Sequence, residues 1–426
     1  MTAEHIDPAS TGSQPVAVVV DSYTTANHLP PAFARLGVAA VHVQSTPELL
    51  TSMPAPNLAA YQANFICDTP EDTAARLAPL DPVCVVAGQE GPGVNLADTL
   101  SALLDVPTNG TALSLARRDK FLMIETLRRA GVRCADQFRS SDPGDLVAWA
   151  EERGSYPVVV KPLRSAASNG VAVCAGPSEI RKAAEEILGV PDFFGQPNRE
   201  VLIQSYLAGE EYKVDMVSYE GRRYTCGVWR YGKRLVGTRN IYDRDSLCAP
   251  DEGPVPEIIA YVDTVLAALG IEFGPSHAEV IVTPEGPTLV EVGTRIAGGT
   301  VPDFHDLCLG TNQADATALA YARPQEFLSR LAGRSYRRLR HASQYLVPTT
   351  AEGVVAGVDE QVVQEIEALE TVFRLTVKLT AGDRIRPTVD LPSATMVVHM
   401  AGDHPAALER DHERIRQLKD RVYRLA

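Results

Sequence analysis

The sequence has no Cys-x-x-Cys pair, no surplus of basic residues, no long apolar run and none of the glycine signatures of the commonest nucleotide-binding loops. Each absence removes a class of protein. The seven cysteines are scattered and odd in number, which argues against a disulfide framework or a zinc site and fits reduced thiols in the cytoplasm. Asp and Glu number 54 against 40 Lys and Arg, a formal net charge of -14. With no basic block dense enough to follow a phosphate backbone, nucleic acid is not an expected partner. No apolar stretch approaches the length of a membrane span, and the polar start MTAEHIDPASTGSQ lacks the parts of a signal peptide, so neither membrane nor export is expected. The loop after the first predicted strand, DSYTTANHL, contains no glycine, which excludes a GxGxxG fingerprint, and no GxxxxGK[ST] occurs, which excludes a P-loop. No Ser-His-Asp or Cys-His pattern of a covalent catalyst is present either.

What is there is a chain of 426 residues, 45% hydrophobic, enough for two to four structural units. After a tail over residues 1–14, strands at Val16 to Val20 and Ala39 to Val43 flank a helix around Leu29 to Leu36, a βαβ unit. A strand at Val83 to Ala87 runs into GQEGPGVNLAD. In an open α/β sheet that crevice suits a ligand, and Glu90 could take an amino group there. A helix is expected from about Leu113 to Ala130, containing RRDK and ending at Gly131. The β-branched strand at 158–160 leads to Lys161 and a loop of small residues, Ser165 to Gly170, composed as a flexible phosphate cover would be. A second strand starts at Val171, and a helix follows around Ser178 to Ile187.

The stretch VLIQSYLAGEEYKVDMVS reads as a strand at Val201 to Gln204, a short connection and a strand from Tyr212. Backbone after the first strand could meet an adenine edge, and Glu211 could accept from ribose hydroxyls. GRRYTCGVWRYGKR continues the sheet, residues 256–270 read as a helix, 301–310 as a loop, and Ala314 to Tyr321 as a helix. In the last ninety or so residues, strands at Ser343 to Val347, Arg374 to Leu379 and Thr395 to Met400 suggest a smaller α+β unit. Its closing helix carries Leu408, Ile415, Leu418, Val422 and Leu425 on one stripe.

The densest signal is HAEVIVTPEGPTLVEVGTRIAGG, from His277 to Gly299. Two apolar runs flank Pro284, Glu285 and Gly286, as in an antiparallel hairpin. Symmetry about Glu285 sets Glu279 opposite Glu291, and period 2 puts Ile281 and Leu289 on their face. Carboxylates facing each other at roughly 5 Å repel unless a cation lies between them, and an adjacent apolar shelf suits Mg²⁺ carrying a nucleotide. A register slipped by one residue would instead leave an ordinary hairpin.

Taken together, and in this order, these landmarks resemble the ATP-grasp superfamily over roughly residues 16–330. Within it AGQEGPGVNLAD, RRDKFLM, WRY and EVGTRIAGG look most like the L-amino-acid ligases and related carboxylate–amine ligases. The resemblance implies an N-terminal open α/β domain at 15–112 and an ATP-grasp domain at 113–335. Within the latter a mobile lid spans about 137–205, and a small C-terminal α+β subdomain follows at 336–426. It implies ATP contacts from Lys120, Lys161, Ser165, Ser168, Gly170, Gln204, Tyr206, Leu207, Glu211 and Ile281. It further implies Mg²⁺ or Mn²⁺ on Glu279 and Glu291, Arg295 at the reacting carboxylate, and substrate contacts from Glu90, Gly298 and Gly299. The implied reaction joins small carboxylate and amine substrates through an acyl phosphate, releasing ADP and phosphate, in a cytoplasmic enzyme for which a homodimer is one expected assembly. One departure stands out: many such enzymes place Asn two residues after the second metal Glu, and here the residue is Gly293. The alternatives are a biotin-carboxylase-like or purine-pathway carboxylase, and a nucleotide-binding module without turnover.

Overall fold

The computed structural model describes residues 14–164, 170–192, 195–236, 239–390 and 393–426. The expected N-terminal tail through residue 13 and the predicted phosphate contacts Ser165 and Ser168 lie outside them. Three sheets surround one cleft, and a small three-stranded sheet lies at the C-terminal end.

The first is parallel, in the order Asn64–Ile66, Ala39–Gln44, Val16–Val20, Pro82–Ala87. Its central strands are wholly buried, as their unbroken Val/Ala runs require when both faces are covered. The strand Pro82–Ala87 ends at Gly88, and Gln89 and Glu90 lead into the helix Pro92–Leu103. Glu90 therefore stands at the carboxyl edge of this sheet.

The second sheet is antiparallel, in the order Gln137–Ser140, Val201–Ser205, Val158–Pro162, Ala172–Cys174. The helices Pro143–Arg153 and Pro177–Ile187 bury Leu146, Ala150, Ile180 and Ala184 against it. Alternation leaves its other side free to face the cleft.

The third sheet has eight strands, in the order Gly286–Gly293, Gly274–Thr283, Glu210–Tyr219, Arg222–Val236, Arg239–Leu247, His341–Val347, Met396–Gly402, Val372–Val377. Along Glu210–Tyr219 the period of two is explicit. Tyr212, Val214 and Met216 join the core beneath the helix Val255–Ala268, whereas Glu211 and Lys213 line the cleft. The last three strands come from the C-terminal stretch expected to form a separate unit. They extend the central sheet through the Arg239–Leu247 to His341–Val347 pairing.

Several sequence expectations change here. The predicted helix from Leu113 begins at Lys120, because Asp119 caps it by accepting from the amides of Phe121 and Leu122. The stretch read as a loop after Val301 is the helix Pro302–Leu309, with proline in its first turn and Gly310 at φ +80 closing it. The closing helix, Pro405–Leu418, stops before Leu425, which lies exposed in the strand Tyr423–Leu425.

The carboxylate hairpin departs from simple symmetry. Glu279 pairs with Glu291 as expected, but Val280 pairs with Leu289 and Thr283 with Gly286. Val290 is thus the extra residue of a β-bulge. Leu289, expected beside the carboxylates, packs into the core with Val280. Val290 takes the cleft position next to Glu291.

Candidate active site

The three sheets enclose a cleft of about 460 Å³. Glu90, Lys120, Lys161, Gln204, Tyr206, Leu207, Glu211, Glu279, Ile281, Glu291, Arg295, Gly298 and Gly299 all line it. Gly170 does not; it sits at φ +73 beside Pro162, just ahead of the strand Ala172–Cys174. Val159, Val173, Leu207, Ile281 and Val290 give one part of the cleft an apolar wall.

The two facing carboxylates are held by different cations. Glu291 lies 2.7 Å from Nζ of Lys120, the first residue of its helix. Glu279 accepts from Oη of Tyr231 at 3.1 Å, and Nε2 of His277 lies 3.7 Å away. Burial works against ionising Glu279, but the imidazole of His277 and the ammonium of Lys233 outweigh it and hold its carboxyl down to about 2. Burial also opposes a charged His277. Contact with Asp215, whose Oδ1 is 2.8 Å from Nδ1, and the nearby Glu279 raise it nonetheless to about 9, so His277 is an imidazolium at neutral pH. The two facing carboxylates offer oxygen donors alone, which is what a hard divalent cation selects. Among the described residues no third His, Cys, Asp or Glu completes a metal cluster with them. The rest of such an ion's shell would come from phosphate oxygens and water.

Two lysines bracket this pair. Burial opposes the charge on Lys120, yet Glu291 keeps its pKa above the ordinary value. Lys161, buried at the end of the strand Val158–Pro162, is lowered to about 8 by burial and by the charge of Lys120. At the other end Arg295 pairs with Glu90 at 2.6 Å, linking the central sheet to the parallel one.

Gly293, the position of the missing Asn, is explained by this pair. A Cβ there would stand 2.6 Å from Oε1 of Glu90. The carboxylate of Glu90 occupies the room that a side chain at 293 would need.

Glu211, expected to be free for hydroxyls, shares Nζ of Lys233 at 2.6 Å, and Lys233 lies over the rings of Tyr242 and Tyr231 at 4.1 and 4.9 Å. Gln204 donates from Nε2 to Oε1 of Gln137 at 3.1 Å, which fixes its amide against the cleft wall. Sequence reading did not assign Lys213, Tyr231, Lys233, Asp245, His277 or Gln344, all of which line the cleft. The alternation in WRYGK carried a signal for Tyr231 and Lys233. Which face they occupy follows only from register with Glu211 and Ile281.

The chain is similar to known proteins over most of its length. The model of the ATP-grasp domain matches residues 154–303. Dapdiamide A synthase from Enterobacter agglomerans is 32% identical over 418 residues, covering 96% of this chain and 97% of that protein. D-alanine--D-alanine ligase from Halalkalibacterium halodurans is 29% identical over 223 residues, 49% of this chain and 68% of that one. The crystal structure of the L-amino acid ligase from Bacillus licheniformis superposes with a TM-score of 0.75 at 20% identity, covering 98% of this chain and all of that one.

Proposed function

We propose that this chain, which belongs to the ATP-grasp family and is an ATP-dependent ligase forming amide bonds, joins the carboxylate of one amino-acid-like substrate to the amine of another. The observation that carries this reading is one cleft that brings the facing pair Glu279 and Glu291 together with the buried cations Lys120 and Lys161 and the fork of Arg295. Lys120 and Lys161 would hold ATP phosphates. Ile281, Val290 and Leu207 would sandwich the adenine beside the backbone after Gln204, and the pair Glu211 and Lys233 would meet the ribose. Glu279 and Glu291 would hold Mg²⁺ or Mn²⁺, which when bound neutralises charge on the phosphate oxygens.

In the reading we favour, the γ-phosphoryl group passes to a substrate carboxylate and ADP leaves. Arg295 orients that carboxylate and then stabilises the oxyanion formed when the amine attacks the acyl carbon. Phosphate departs, the amine loses a proton, and the amide remains. The names of dapdiamide A synthase, D-alanine--D-alanine ligase and L-amino acid ligase support amino-acid-like substrates. The seven free cysteines, five of them buried, support a cytoplasmic setting. The test is incubation with ATP, Mg²⁺ and pooled amino acids, followed by product masses. ADP with a new amide-linked product is expected; ATP turnover that depends on bicarbonate and gives no amide would overturn the reading.

A further inference from the structure

Lys213 is 3% exposed, in the middle of the central sheet. Among the described residues its ammonium makes no ion pair or hydrogen bond, and it lies over the indole of Trp229, 5.1 Å from the ring centroid. Burying a cation in this way is unfavourable unless something completes it. Its cross-strand partner Glu279 is engaged by Tyr231 and His277, and Asp215, two residues along, is engaged by His277.

Lys213 lines the cleft together with Gln344 and Gly299. A Cβ on Gly299 would stand 3.0 Å from Oε1 of Gln344 and 3.3 Å from Nζ of Lys213. Glycine at 299 therefore keeps open a space on which an ammonium and an amide converge. Asp245, buried on the same side, leaves its Oδ1 without a hydrogen-bond partner among the described residues, an acceptor that the fold does not satisfy. Counted from the strand Gly286–Gly293, the strands that carry Lys213 and Gln344 lie beyond the one that carries Glu279.

We propose that Lys213, across the gap left by Gly299, binds the α-carboxylate of the amine-donating amino acid, with Gln344 donating to it from Nε2 once its amide, whose Oε1 now faces the gap, has turned. This rests on the amide-forming reading above. The first substrate's carboxylate is consumed at Arg295. The second substrate's carboxylate survives into the product, so it needs a counter-charge throughout the reaction, and Lys213 is placed to supply one.

The test is a competition. Wild type and Lys213→Met are given ATP, Mg²⁺ and an equimolar mixture of the proteinogenic L-amino acids other than Asp and Glu and their carboxamides, which can act only as amines. Dipeptide acids and dipeptide amides are separated and identified by mass. Wild type should favour the acids by at least about tenfold, as a lost charge-assisted hydrogen bond implies. In Lys213→Met that ratio should collapse towards one, and Lys213→Arg should keep part of it. If Lys213→Met fails to unfold cooperatively, Gln344→Leu carries the test and should lower the ratio severalfold. Acids and amides falling by the same factor in these variants would make the residues structural and overturn the proposal. Equal use of both amines by wild type would do so too. Wild type forming neither product would instead defeat the amide-ligase reading itself.

Discussion

Replacing Gly293 by Asn restores the residue that many ATP-grasp enzymes carry beside the second metal carboxylate, and it should impair this enzyme. The new Cβ would meet Oε1 of Glu90 at 2.6 Å and its Cδ at 3.4 Å. Relieving that contact moves the carboxylate of Glu90, which is bound to Arg295 at 2.6 Å. The side chains of that pair are 20% and 14% exposed. Breaking a fully buried pair costs about 3–5 kcal/mol. Because Glu90 is displaced towards water rather than deleted, about 2 kcal/mol is the reasonable expectation. If the same contact holds Arg295 in place for the substrate carboxylate, kcat/KM should fall about thirtyfold. The assay pairs denaturant unfolding with initial rates of ADP and amide formation for Gly293→Asn and Gly293→Ala. The Ala variant introduces the clash without a donor, so both should lose stability and activity together. Wild-type stability and turnover in Gly293→Ala would refute the argument, since Glu90 would then not need the space.

Other outcomes follow from the same geometry. Glu279→Gln and Glu291→Gln should each lower turnover at least about a hundredfold and also destabilise the metal-free fold, because Glu291 is the partner of buried Lys120 and Glu279 that of Tyr231 and His277; near wild-type rates at low Mg²⁺ would rule out the metal assignment. Lys161 titrates in the folded state at about 8, below its ordinary 10.5, so the folded form binds fewer protons and stability should rise as pH climbs from about 8 towards 10.5. Phosphates would return it to the charged form. At about pH 8.5 ATP binding should therefore take up a proton, read by calorimetry in buffers of different ionisation enthalpy, and Lys161→Met should abolish the uptake. Lys120→Ala should weaken ATP binding itself, whereas Arg295→Lys should bind ATP normally and keep most of an about hundredfold loss in amide formation, since it retains the charge and loses the planar fork.

Much of this was legible in the residues. Turn chemistry at Pro284 to Gly286 and the spacing of Glu279 and Glu291 placed the two carboxylates across one hairpin, and the structure pairs them. The buried strands at Val16–Val20 and Val201–Ser205 were clear from their apolar runs. These are local properties: a strand repeats every two residues, and a short loop joins its neighbours in a narrow range of registers.

What stayed hidden depends on residues far apart in the chain. The bulge at Val290 reverses which side chain stands beside Glu291, and one extra residue leaves no mark in an alternating pattern. The pairing of Arg239–Leu247 with His341–Val347, about a hundred residues apart, brings Gln344 into the cleft and joins the C-terminal strands to the central sheet. Glu90 reaches Arg295 only because two sheets meet, and that meeting explains why position 293 is glycine. The sequence by itself determined the strands, the facing carboxylates and the order of the landmarks, because short-range sterics and hydrophobic periodicity suffice for them. Only the tertiary structure decided which buried charges are paired and that, among the described residues, Lys213 makes no ion pair or hydrogen bond, because charge compensation is settled by distances between strands rather than by spacing along one.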